Sequence, residues 1–93
     1  MKVRWTRQSL QDLKRLHEFI AEENPQVARE MVFRVYEAAT EHLVRHPRMG
    51  KKGRVSGTRE LVLAGTPYIL VYVLDEAEIQ IITVLHSSRR WPE

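Results

Sequence analysis

Hydrophobic positions follow a helical period through the first half of the chain and a period of two through the second. Val3 and Trp5 alternate with Lys2 and Arg4, which predicts a short first strand with one buried face. Leu10, Leu13, Leu16 or His17, and Ile20 recur at helical spacing, so an amphipathic helix is expected from about Arg7 to Glu23. Thr6 or Ser9 can cap it, because a side-chain oxygen satisfies an amide that the first helical turn leaves unpaired. Asn24-Pro25 is a restart signal: Asn caps, and Pro at the first helical position forfeits no hydrogen bond. Ala28, Met31, Val32, Val35, Ala38, Ala39 and Leu43 keep the 3.6 period, which predicts a second helix from about Pro25 to His46. Pro47 disfavours a helical conformation at His46 and marks the end. Helices joined by so short a link fold back as an antiparallel hairpin.

Pro47 to Gly57 carries Gly50, Gly53 and Gly57 among basic residues and reads as a loop. Beyond it the period becomes two. Strands are expected at Thr58 to Leu63, Tyr68 to Leu74 and Glu78 to Leu85, separated by turns at Ala64 to Pro67 and Asp75 to Ala77. The last strand is apolar on both faces, as suits a central strand. The resulting α+β order is β-α-α-β-β-β, with a helical hairpin packed on one face of a small antiparallel sheet. Repeats, low-complexity segments and linkers are absent from the sequence, so residues 1–93 are expected to form a single domain.

Composition narrows the class. A chain of 93 residues with 43% hydrophobic and 29% charged residues can bury one modest core and is not expected to be disordered. Zero cysteines exclude disulfides, thiolate catalysis and sulfur-ligated zinc. No apolar run approaches the ~20 residues of a membrane span. Met1 to Trp5 alternates charged and apolar residues instead of opening an apolar signal core, so a cytoplasmic location is expected and a membrane partner is not.

The net charge of +3 hides a strong pattern. Glu18 to Glu41 contains six acids against Arg29 and Arg34, whereas Arg45 to Arg59 contains six bases (Arg45, Arg48, Lys51, Lys52, Arg54, Arg59) and no acid. The four acids from Glu60 to Leu85 meet no base, and Arg89 and Arg90 close the chain against Glu93. The basic stretch sets up a local field suited to an anion, phosphate above all, or simply a solvated loop.

Candidate chemistry is sparse. His42 and His46 share a helix face, but the Glu that a zinc-protease pair needs after the first His is replaced by Leu43, and no third ligand is evident. A polar helix end explains them better, and neither a metal nor a cofactor is expected. Gly50-Lys51-Lys52-Gly53 lacks the hydroxyl residue of a nucleotide-binding loop and leads into a strand. The stronger constellation joins Arg59, Tyr68 and Tyr72 with His86-Ser87-Ser88-Arg89-Arg90-Trp91. Arg offers a planar fork for phosphate, His titrates near neutrality, and aromatic rings stack on bases. These groups suit phosphodiester cleavage or nucleic-acid binding. Core packing is the simpler role for the two tyrosines, and an ion pair, with Glu60 or an acid on the second helix, for Arg59.

The run Gly57-Thr58-Arg59-Glu60-Leu61-Val62, then Thr66-Pro67-Tyr68-Ile69-Leu70-Val71-Tyr72, then Ile81 to His86 with Arg89-Arg90-Trp91-Pro92, resembles the RelE/ParE toxin superfamily. Trp5-Thr6, Asn24-Pro25 with Ala28, and Leu43 through His46-Pro47 to Gly50 fit it as well, so the similarity spans almost the whole chain. The resemblance implies a toxin of a type II toxin–antitoxin module, neutralised by a cognate antitoxin with an acidic, amphipathic C-terminal segment. It also implies one of two targets, because RelE-like members cut messenger RNA on the ribosome and ParE-like members poison DNA gyrase.

For RNA cleavage, Lys51, Lys52 and Arg54 would neutralise phosphate, Arg59 and Arg89 would clamp it, and His86 would be the acid–base group. RelE-type enzymes keep a catalytic Tyr or His-Tyr near the C-terminus, where this chain has Arg90-Trp91-Pro92-Glu93. Losing one proton-transfer group costs roughly a hundredfold or more in rate. The His86-x-x-Arg89-x-Trp91-Pro92 ending is closer to the ParE-like branch. There no hydrolytic site is expected, and Lys51, Lys52, Arg54, Arg89, Arg90 and Trp91 are the expected target contacts. A ribosome-dependent endoribonuclease is the alternative, and a member that binds its antitoxin without toxicity is the third reading.

Overall fold

A computed structural model describes residues 1–92. Its elements are β1 (Lys2–Trp5), α1 (Arg7–Ala21), α2 (Pro25–Glu37), a wider π-turn at Ala38–His42, a last α-turn at Leu43–Arg45, then β2 (Lys51–Lys52), β3 (Arg59–Val62), β4 (Tyr68–Leu74) and β5 (Glu78–His86). The helical hairpin lies on one face of a five-stranded sheet of order β1-β5-β4-β3-β2. This is the α+β architecture that the change of period predicts, with one difference in the sheet. β1 runs parallel to β5, with Val3 opposite Ile79 and Trp5 opposite Ile81, so the sheet is mixed rather than wholly antiparallel. Alternation encodes which side chains face the core but not strand direction, and β1 finds its partner only at the far end of the chain.

The helix starts follow from their caps. Thr6 Oγ1 accepts from the Ser9 amide at 3.1 Å and donates to the Ile81 carbonyl at 2.8 Å, so the cap also ties α1 to β5. Asn24 accepts from the Val27 amide at 3.1 Å, with Pro25 at the first helical position. The second helix ends at His46, as Pro47 requires, but it is not uniform. At Ala38–His42 it widens to a π-turn, where the Thr40 hydroxyl donates to the Tyr36 carbonyl at 2.9 Å.

The main core lies between hairpin and sheet and is built on Val35, Ala39, Leu43, Leu70, Tyr72, Ile79 and Ile81, each fully buried. A second, smaller cluster of Ile69, Val71 and Leu85 forms on the outer sheet face, with Ile82 and Trp91 against it. β4 therefore contributes alternate residues to two cores, which explains why its sequence is apolar throughout.

The basic segment expected to be a loop contains the two-residue strand β2, with Lys51 opposite Glu60 and Lys52 opposite Arg59. Two residues are too few to show a period. The approach to β2 is set by Tyr72, whose hydroxyl accepts from the Gly50 amide at 3.0 Å and donates to the Pro47 carbonyl at 2.7 Å. A Cβ at Gly50 would lie 2.7 Å from that hydroxyl and 3.1 Å from the Glu60 carbonyl oxygen, so this close approach requires glycine. Tyr72→Phe strands the buried Gly50 amide. A loss of about 1–2 kcal/mol is expected, read as a lower urea midpoint with an unchanged slope.

A basic outer face and a candidate interface

Residues opposite one another in a sheet share a face. One row, Lys51, Glu60 and Val71, lies on the outer face, and the next, Lys52, Arg59 and Tyr72, lies on the helix side. The basic segment is thus split by the sheet.

On the outer face Glu60 is 4% exposed and receives three hydrogen bonds from Arg54. The backbone amide and Nε donate to Oε2, each at 2.9 Å, and Nη2 donates to Oε1 at 3.0 Å. These bonds hold the Glu60 carboxyl below the ordinary carboxylate range, with hydrogen bonding by the Arg54 side chain the largest cause, and push the Arg54 guanidinium up in turn. Arg54 Nη1 also donates to the Trp91 carbonyl at 3.4 Å. Loop and C-terminal tail therefore meet over the outer face, with the Trp91 ring half-buried against Ile69, Val71 and Leu85.

Arg59 forms no pair with Glu60, which Arg54 has taken. Its Nη1 donates to the Gly50 carbonyl at 2.7 Å and to the Arg48 carbonyl at 3.3 Å, so it braces the loop from the helix side. With Lys52, Ser56 and Thr58 it lines a cleft of about 330 Å³ beneath the glycine-rich bend. Tyr68 and Tyr72 are buried in the main core, and desolvation pushes both phenols above the usual tyrosine range.

His86 stands at the opposite end of the sheet. It lies across from Tyr68, and Arg59 across from Tyr72. Four residues along β4 and two strand spacings across put Arg59 and His86 roughly 17 Å apart in backbone position. The fold therefore does not bring them to one reacting centre. His86 Nδ1 lies 2.7 Å from Ser88 Oγ and accepts from the Ser88 amide at 3.1 Å; the Arg89 amide donates to the His86 carbonyl at 2.9 Å. His86, Arg89 and Arg90 are exposed, in and after the tight turn that ends β5. The structure thus gathers Lys51, Arg54 and Trp91 on the outer face, keeps Lys52 and Arg59 on the other, and places His86 at the far end, with Arg89 beside both His86 and Trp91.

Among the described residues no group of three or more His, Cys, Asp or Glu side chains is gathered for a metal ion. Among the same residues no helix is long and apolar enough to cross a membrane.

Pattern reading passes over Asp12. This carboxylate is 5% exposed, and Oδ2 receives the Thr83 hydroxyl and, at 3.2 Å, the Val84 amide, while Gln8 donates to Oδ1 at 2.9 Å. β1 pairs with β5 only as far as Ile81, so Asp12 satisfies the strand edge beyond that point. The available signal was a carboxylate on the same helical stripe as Ser9 and Leu16. Glu60 was legible only as a strand residue, because its partner is set by how the loop folds back.

Comparison with known proteins identifies the fold and the family. The family model described as "ParE toxin of type II toxin-antitoxin system, parDE" matches residues 3–91. The chain is 36% identical over 92 residues to Y4kP, named as a candidate toxin of Sinorhizobium fredii, covering 99% of this chain and 94% of that protein. Among solved structures, a chain of the chromosomal ParDE system from P. aeruginosa superposes with a TM-score of 0.81 at 25% identity, covering 92% of this chain and 95% of the other. A chain of the RelBE2 toxin–antitoxin complex from Mycobacterium tuberculosis gives a TM-score of 0.66 at 31% identity, covering 91% and 88% respectively. With the family model spanning nearly the whole chain and the fold shared, the protein belongs to the ParE toxin family of type II toxin–antitoxin systems.

Proposed function

We propose that this toxin arrests growth by binding DNA gyrase rather than by cutting RNA, acts in the cytoplasm, and is neutralised by a cognate antitoxin. The observation that carries this reading is the outer face of the sheet. There Arg54 joins the basic loop to the tail, so that Lys51, Arg54 and Trp91 share one face, with the exposed Arg90 next to Trp91 in the chain. Arginine and tryptophan are strong contributors to protein interfaces, and a preformed face loses little entropy on docking. The groups that RNA cleavage would use favour it less. Arg59 braces backbone carbonyls, His86 stands roughly two strands and four residues away, and both sheet tyrosines are buried. An acidic, amphipathic antitoxin segment complements the positive surface and the exposed aromatics Phe19, Phe33 and Tyr36 of the hairpin. The toxin–antitoxin systems among the structural relatives support such a partner.

Two assays of the purified chain test this. Gyrase supercoiling is expected to fall, with linear DNA accumulating, while messenger RNA in a cell-free translation mixture stays intact. The double variant Arg90→Ala/Trp91→Ala should weaken the gyrase effect about tenfold or more, as loss of two interface anchors does. Discrete messenger cuts with unchanged supercoiling would replace this reading with the endoribonuclease one. Silence in both assays from a folded chain would leave antitoxin binding alone.

A further inference from the structure

A cleft of about 450 Å³ opens between α1 and the end of β5, away from the outer face, and the gyrase reading makes no use of it. Its floor is apolar, formed by Leu16 and Val84, with the Phe19 ring standing 72% exposed at one side. Tyr68 lines it and is only 8% exposed. The Tyr68 hydroxyl has no hydrogen-bond partner among the described residues and is not sealed from solvent, which leaves a phenolic donor at the cleft. Solvent reaches this hydroxyl, so a ligand entering the cleft can supply its acceptor in place of water.

The remaining polar groups are donors as well. Arg15 and Arg89 stand at the cleft, and the His86 ring packs edge-on against Tyr68 at 5.6 Å between centroids. Because His86 Nδ1 accepts from the Ser88 amide, the neutral ring carries its proton on Nε2 and offers a donor there. Among the described residues one acid lines the cleft, Asp12, and its oxygens are taken up by Thr83, Val84 and Gln8. The volume falls within the range of small-ligand sites, and an apolar floor with a few convergent polar groups is their usual composition.

From this arrangement we infer that the cleft is a binding site for an organic anion, an apolar or aromatic body ending in a carboxylate, with the Tyr68 hydroxyl and the Arg15 guanidinium on the carboxylate and Phe19 against the body. Such a group could arrive as a free small acid or as the side chain of a bound polypeptide; the chemistry is the same. The site rests on neither gyrase nor RNA as the target.

The test uses the purified chain, labelled with nitrogen-15 and titrated with 4-phenylbutyrate, its uncharged amide, and the capped tripeptide acetyl-Leu-Phe-Glu-amide. The acid is expected to bind with a Kd of about 1–10 mM, as fits a ligand of its size. Shifts should centre on Phe19, Tyr68 and His86, and the amide should bind at least tenfold more weakly. Tyr68→Phe removes only a hydroxyl that bonds none of the described residues, so the fold should be retained while affinity falls about tenfold. Arg15→Gln should weaken binding to a similar degree. If the tripeptide binds more tightly than the free acid, the source is a polypeptide side chain; if less tightly, a small acid. Equal affinity for acid and amide, shifts elsewhere, or a Tyr68→Phe variant that binds as the wild type does would overturn the site.

Discussion

Asp12→Ala is expected to lower stability by about 2–5 kcal/mol, because it strands the Thr83 hydroxyl and the Val84 amide at positions 4% exposed. In a chain of this length that corresponds to a fall in melting temperature on the order of 15 °C or more. The cost is high because the donors lie at the edge of β5 beyond the last β1 pair, at Ile81, with α1 packed over them. Asp12→Asn retains one acceptor and should recover part of the loss. Thermal unfolding of both variants checks the assignment. A fall of under about 3 °C for the alanine variant would mean that water replaces the carboxylate and that the α1–β5 seam is looser than described.

The second large effect belongs to Glu60. Glu60→Gln removes the charge that three Arg54 donors address, and a loss of about 1.5–3 kcal/mol is expected. The Arg54 side chain is 37% exposed, so solvent screening holds the effect below that of a fully buried pair. The sign of the pH dependence follows from the direction of the shift. The Glu60 carboxyl is depressed in the folded chain, so the folded state releases its proton more readily than the unfolded one. Its stabilisation is fully present above the ordinary glutamate value, near 4.3, and is lost as pH falls through the lower folded value. Urea midpoints from pH 7 down to pH 3 should converge for wild type and Glu60→Gln at the acid end. Parallel curves would show that the pair contributes no charge-dependent stability. The same variant should free Trp91 from the outer face, since Arg54 bonds both Glu60 and the Trp91 carbonyl, and a red shift in tryptophan emission would report it.

Proton transfer and phosphate clamping need groups within hydrogen-bond reach of one substrate, and strand register decides that reach. Arg59 and His86 read in sequence as members of one site because one begins a strand, the other ends one, and both bear suitable chemistry. Register sets them at opposite ends of the sheet, on either side of β4. Arg54, by contrast, reads as one cation among six and proves to be the residue that organises the outer face. Its role depends on the loop turning back over β3, which no local pattern encodes.

The periods of 3.6 and two determined the hairpin, the strands β3, β4 and β5 and most of the core, because side-chain periodicity is a local property that burial of one face imposes; Leu10, on the expected apolar stripe, is 54% exposed, and Ser9 and Asp12 are buried in α1 instead. The caps at Thr6 and Asn24 and the stop at Pro47 were likewise legible, since each acts within a few residues. Whole-chain resemblance carried the family. Tertiary structure alone decided the parallel direction of β1, the two-residue strand β2, the exchange of Glu60's partner from Arg59 to Arg54, and the burial of Asp12 against the open edge of β5. Each of these joins groups through the fold of a loop or the end of a strand. Their energy comes from hydrogen bonds satisfied across the chain, which a one-dimensional pattern of apolar and polar residues does not record.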